Sequence, residues 1–188
     1  MNKPSIAIVI PARYKSSRFP GKPLALLAKK PLIQHVYEQA SRVSHVDQVI
    51  VATDDFRIQE VVQKFDGQVQ MITKPCRTGT DRVAEVTRLI SSEVIINLQA
   101  DEILLNPEIL NNLINRFLKN PVPMGTLMRK LESQDEFSQT SVVKVVTDKT
   151  GKALYFSRSS IPHTRNHAGQ SPVAPFASIH LGVYIFQR

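Results

Sequence analysis

Across the first 118 residues, short apolar runs alternate with segments whose apolar residues recur at helical spacing, and this alternation leaves few folds open. Residues 5–10 (SIAIVI), 48–53 (QVIVAT), 68–72 and 94–98 (VIINL) read as strands. Each of the first, second and fourth is a near-continuous apolar run, the pattern of a parallel strand buried on both faces. Between and after them, residues 31–42, 56–65, 80–90 and 107–118 carry one apolar stripe each and read as amphipathic helices. Strand–helix alternation of this kind predicts a mostly parallel sheet covered by right-handed crossovers. Ligands of open sheets bind beyond the carboxyl ends of the strands, so the loops after Ile10, Thr53 and Leu98 are the candidate site.

Beyond residue 120 the pattern changes to strands at residues 124–130, 142–147, 154–157 and 180–186, with a long surface loop over 162–178. We therefore expect one α/β domain over 1–188, with the alternating, parallel-sheet half over 1–118 and a smaller, β-rich part over 119–188. The last apolar run stands two residues from the end with no helix after it, which reads as a domain incomplete at its C-terminus.

No apolar run approaches the roughly 20 residues that span a bilayer, so no membrane role is expected. The single cysteine, Cys76, allows no internal disulfide and fits a reducing cytoplasm. The net charge of +8 suits an anionic partner. Its dispersed arginines and lysines, without zinc-ligand spacing or an aromatic nucleic-acid motif, favour a small anion over nucleic acid.

Three loops carry residues with chemistry to offer. Residues 11–24 (PARYKSSRFPGKPL) place Arg13, Arg18 and Lys22 with Ser16 and Ser17 after the first strand. Several cations together neutralise a polyphosphate, although the run lacks the P-loop pattern, and an exposed basic loop is the plain alternative. Thr78-Gly79-Thr80-Asp81-Arg82 opens a helix, where backbone N–H groups attract anions. The plain alternative there is a helix cap supplied by Thr80. Residues 97–102 (NLQADE) put Gln99, Asp101 and Glu102 just after a buried strand, where a carboxylate offers an oxygen ligand to Mg²⁺; a polar strand end is the alternative.

These runs, with VVKVV at 142–146, ALYFSRSSIP at 153–162 and HLGVY at 180–184, occur in the order found in the 3-deoxy-manno-octulosonate (Kdo) cytidylyltransferases, or CMP-Kdo synthetases, which the chain resembles from Ile6 to Tyr184. The resemblance implies a three-layer, Rossmann-like nucleotide-diphospho-sugar transferase fold, with 1–118 as its nucleotide-binding half and 119–188 as part of a small β-rich sugar-acid-binding region. It implies transfer of CMP from CTP to Kdo or a related sugar acid, with release of pyrophosphate, for lipopolysaccharide synthesis. Arg13 and Lys22 would grip the CTP phosphates and Asp101 would hold the Mg²⁺ cofactor; these three would be the catalytic residues. Pro11, Ala12, Ser17, Arg18, Thr78, Gly79, Thr80, Arg82 and Gln99 would line the nucleotide site, and Arg158, His180 and Tyr184 the sugar-acid site.

The chain departs from the family pattern at Ala100, where glycine is usual, at Ile103, where proline is usual, and mildly at Thr78, where serine is usual. A loop needing positive φ at position 100 would suffer from the Cβ. The family is homodimeric and continues further, with a dimerisation helix, a glutamine at the sugar acid and a second metal-binding aspartate, and that usual interface segment is missing here. An inactive truncated homologue, or a nucleotide-binding module without catalysis, is the alternative reading.

Overall fold

The computed structural model describes residues 3–15, 19–163 and 177–188. Ser16, Ser17, Arg18, His167 and most of the 162–178 loop lie outside the described residues. The chain divides into two compact units, Met1–Gly125 with Val183–Arg188, and Thr126–Gly182.

In the first unit, β1 (Ile6–Ala12) leads through a 3-10 turn (Lys22–Leu24) into a small hairpin of β2 (Leu26–Leu27) and β3 (Lys30–Pro31). Then follow α1 (Leu32–Ala40), β4 (Gln48–Thr53), α2 (Phe56–Lys64), β5 (Gln68–Met71), α3 (Gly79–Thr87), β6 (Val94–Leu98) and α4 (Pro107–Lys119). Strands run in the order β5-β4-β1-β6, all parallel. Residues 183–187 of the last strand add an antiparallel edge to β6.

β1 is buried along its whole length, and Ile6, Ile8, Ile10 and Ile96 are fully buried. Each such isoleucine contributes about 2 kcal/mol by leaving water. The helices bury the stripes their sequences announce: Ile33, Val36 and Ala40 in α1, Ile58 and Val62 in α2, Val83 and Val86 in α3, and Leu110, Leu113, Ile114 and Phe117 in α4. From β1 the chain moves to β4 and β5 on one side and returns to β6 on the other. That reversal makes the carboxyl ends of β1 and β6 a topological switch point, where sheets of this class bind ligands.

The second unit holds most of β7 (Met124–Lys130), then α5 (Gln134–Ser138), β8 (Lys144–Thr147), β9 (Ala153–Ser157) and the start of β10 (Ser178–Gln187). β8 pairs antiparallel with β9 and with β10, and β7 pairs with β10. Its core gathers Leu131, Phe137, Ala177 and Ile179, with Val142 against them. The strand expected from residue 142 begins at Lys144, because Val142 closes a turn on the Gln139 carbonyl at 3.3 Å. No helix among the described residues is long and apolar enough to cross a membrane.

Candidate nucleotide site

A cavity of about 290 Å³ lies at the carboxyl ends of β1 and β6 and the start of α3. Three arginines, Arg13, Arg77 and Arg82, line it with Pro11, Thr78 and Gln99, and among the described residues no carboxylate does. The lining is thus suited to an anion. Arg77 and Cys76 were not among the residues expected from the sequence; the signal for Arg77 was its place directly before the TGTDR run.

The first turn of α3 is built by Thr78, not Thr80. Thr78 has extended backbone and its hydroxyl accepts from Asp81 N at 3.1 Å, while the Asp81 carboxylate accepts from Thr78 N at 2.8 Å. This capping box starts the helix at Gly79 and assigns both side chains to the cap. The backbone N–H of Thr78 holds the Asp81 carboxyl below its ordinary range. Gly79 is needed for close approach: a Cβ there would stand 3.2 Å from the Pro11 ring and 3.6 Å from Gln99 Oε1. Behind it, buried Asn97 donates to Thr80 Oγ1 at 3.3 Å and accepts from Gln99 Nε2 at 3.1 Å. Thr80 and Gln99 are so linked through one amide.

Arg82, 4% exposed, braces three elements together. Its Nη1 donates to the Ala12 carbonyl at 3.0 Å and its Nη2 to Asp54 Oδ2 at 2.6 Å, tying α3 to the ends of β1 and β4. Its Nε is buried and meets no acceptor among the described residues. A donor left in that state costs about 1–3 kcal/mol.

The loop after β1 is clasped at its ends. Gly21 N donates to the Tyr14 carbonyl at 2.8 Å. Gly21 has φ 72°, and a Cβ there would fall 3.0 Å from the Tyr14 ring. The ring also lies against the Arg57 guanidinium, 3.3 Å from its centroid, a cation–π contact. Arg57 in turn holds Asp55 with two bonds of 2.8 and 2.7 Å, and Asp55 caps α2. Arg57 holds the Asp55 carboxyl below its ordinary range. Arg13 is exposed beside this clasp.

Lys22 Nζ meets Asp101 Oδ2 at 2.6 Å, with the side chains 42% and 53% exposed. The Asp101 loop is two linked turns, Glu102 N to Gln99 O at 3.2 Å and Leu105 N to Glu102 O at 3.3 Å. The described residues other than glycine with positive φ are Ala28, Lys29, His45 and Asp66. Ala100 therefore holds ordinary backbone, and its Cβ brings no strain to this loop. Among the described residues no three His, Cys, Asp or Glu side chains gather into a metal nest. Asp101 nonetheless has the donor chemistry Mg²⁺ takes: an accessible carboxylate, with waters and phosphate oxygens to complete the shell.

Of the residues expected at a sugar acid, Arg158 and His180 belong to the second unit and Tyr184 to the first. Arg158 Nη1 donates to the carbonyls of Thr140 at 2.9 Å and Ser141 at 3.3 Å. His180 Nε2 lies 2.9 Å from Thr126 Oγ1, and its ring meets Phe156 edge-on at 5.0 Å. Burial pushes the His180 imidazole down and the Tyr184 phenol up, so both are neutral near pH 7.

A sheet with its switch point at a basic, glycine-entered cavity defines a nucleotide-handling α/β protein, and the comparisons narrow it. The chain belongs to the cytidylyltransferase family, whose model matches residues 7–188. The resemblance drawn from its loops holds. The 3-deoxy-manno-octulosonate cytidylyltransferase of Syntrophotalea carbinolica is 47% identical over 98% of this chain and 76% of that protein. The protein of the same name from Anaeromyxobacter sp. strain K is 50% identical over 96% and 73%. A solved CMP:2-keto-3-deoxy-manno-octonic acid synthetase complexed with CTP has a TM-score of 0.87 and 41% identity, over 97% of this chain and 74% of that one. The chain thus spans about three quarters of the length of these relatives.

Proposed function

We propose that this chain transfers CMP from CTP to Kdo, or a related 3-deoxy sugar acid, with release of pyrophosphate, and so supplies an activated sugar for lipopolysaccharide synthesis in the cytoplasm. The observation that carries this reading is the basic cavity at the start of α3, in a chain 41% identical along nearly its whole length to a synthetase solved with CTP.

In this reaction an anomeric hydroxyl oxygen bonds to the α-phosphorus of CTP and the α–β bridging P–O bond breaks. Pyrophosphate carries off the electron pair, and the hydroxyl proton passes to solvent. Charge grows on the phosphate oxygens, so orientation and electrostatics supply the acceleration, with no covalent nucleophile. Arg13 and Lys22 are our candidates for the phosphates, by charge-assisted hydrogen bonds. Pro11, Ala12, Gly79 and Gln99 would accept the nucleoside, with Thr78 and Arg82 shaping the wall. Lys22 exchanges its Asp101 carboxylate for a phosphate oxygen when the nucleotide enters. Asp101 is then free to hold Mg²⁺, which would add positive charge at the phosphates. Arg158 would take the sugar carboxylate side-on, while neutral His180 and Tyr184 would bond its hydroxyls.

The test is pyrophosphate release from CTP, Mg²⁺ and Kdo, run beside CTP titration calorimetry. Release that requires both Kdo and Mg²⁺ supports the proposal. CTP binding without turnover on Kdo or any other 3-deoxy sugar acid leaves a nucleotide-binding module and sinks it.

A further inference from the structure

Lys144 on β8 is fully buried, and among the described residues no carboxylate lies within ion-pair distance of it. Its ammonium spends all three donors on backbone carbonyls instead: Arg158 O at 2.7 Å, Gln139 O at 2.8 Å and Val142 O at 2.9 Å. The Arg158 guanidinium turns to the same segment, through Thr140 O and Ser141 O. Four consecutive carbonyls, 139 to 142, therefore face two cations with no counter-ion.

A buried ammonium is a costly way to tie down a loop. Taking it out of water is strongly unfavourable. Burial, and then the like charge of Arg158, push the Lys144 amine down. A methionine would fill the same volume without that cost. What the ammonium achieves that methionine cannot is directional. In the β8–β9 register Lys144 stands opposite Ser157, so its Nζ grips the carbonyl of the very next residue, where the chain leaves the strand. Arg158 is thus held twice, by its own carbonyl and through Nη1. Among the described residues the Nε and Nη2 donors of this exposed side chain meet no acceptor, and they form the edge that can receive a carboxylate in two parallel bonds.

We propose that Lys144 is a positioning residue for the acidic substrate: by anchoring the Arg158 carbonyl and the 139–142 segment, it fixes the guanidinium with its Nε–Nη2 edge presented to the sugar acid's carboxylate. The proposal rests on the reading of Arg158 as the carboxylate-binding residue. Lys144 itself, being fully buried, touches no substrate.

The experiment is a double-mutant cycle on the full chain with Lys144→Met and Arg158→Ala, reading KM for the sugar acid and for CTP separately, with folding checked by circular dichroism. Lys144→Met raises the sugar-acid KM about tenfold and leaves the CTP KM within about twofold. The double variant matches Arg158→Ala alone, since Lys144 acts only through Arg158. Should Lys144→Met fail to fold, Lys144→Gln, which keeps two N–H donors, shows the same split at about threefold. Equal rises in both KM values, or effects that add in the double variant, overturn the proposal and mark Lys144 as a stability residue. An unchanged sugar-acid KM in Arg158→Ala overturns it at its foundation, through Arg158 rather than Lys144.

Discussion

Around the cavity of the first unit, Lys22 rests on Asp101, Arg82 on Asp54 and Arg57 on Asp55. In the second unit Arg129 has Glu136, but among the described residues Lys144 and Arg158 have only carbonyls. The two arrangements prepare for different ligands. A cation on a carboxylate can change partners, taking a phosphate while the carboxylate turns to a metal. A cation on carbonyls keeps its full charge in reserve, and an arriving carboxylate is its first true counter-ion. Polyphosphate with a divalent ion suits the first arrangement, and a singly charged acid the second.

Breaking the pair with the most buried cation should have the largest effect. Arg82→Met leaves the Ala12 carbonyl and Asp54 without their donor, and we expect about 3 kcal/mol of lost stability, a fall in Tm of about 6–12 °C. Thermal melts check it, and a loss below about 1 kcal/mol would show that the brace is dispensable. Next comes the exposed pair. Lys22→Met should raise the CTP KM by about tenfold to a hundredfold, with stability changed by less than about 1 kcal/mol. A stability loss equal to that of Arg82→Met would erase the distinction between brace and exchangeable pair.

The third effect is one of pH. Burial holds His180 below its ordinary value of 6.5, so as pH falls the unfolded chain takes up that proton first. The unfolded state then binds more protons than the folded one, and stability declines as pH drops through and below that value. Melts between about pH 7 and pH 5 should show the decline, and His180→Asn should flatten its share of it. The smallest effect concerns the clasp: Arg57→Ala removes a partly exposed cation–π contact worth about 0.5–1 kcal/mol, which should weaken CTP binding about threefold without moving the sugar-acid KM. Calorimetry with CTP reads it directly, and no change would free Tyr14 from any part in holding the loop.

Much of the frame was legible. The strands at 48–53, 94–98 and 124–130 end where their apolar runs end, because turn-forming or charged residues bound them. The β2–β3 hairpin was not, since its turn places Ala28 at φ 48° and Lys29 at φ 68°, residues that carry no turn signal. The five-residue helix Gln134–Ser138 is too short for periodicity to show, and only its Ser133 cap hints at it. Within the site, the local runs around Arg13, Thr78 and Asp101 were readable as loops after strands. Their partners were not: Lys22 meets Asp101 across 79 positions, and Arg82 meets the Ala12 carbonyl across 70. The burial of Lys144 was hidden for the same reason, as a lysine between valines reads equally as the exposed member of an alternating strand.

The close approach of Gly79 to Pro11 also limits how this sequence can drift. Position 78 needs only a short side chain with an oxygen, so serine, threonine, aspartate and asparagine are interchangeable there at little cost. Position 79 has less latitude, because even one added methyl meets the proline ring at 3.2 Å. A saturation library across these neighbours, selected for CTP-dependent growth, would tolerate several residues at the first and fewer at the second. Two neighbours on one cavity wall would then differ in latitude, the first limited by its cap and the second by the proline ring behind it.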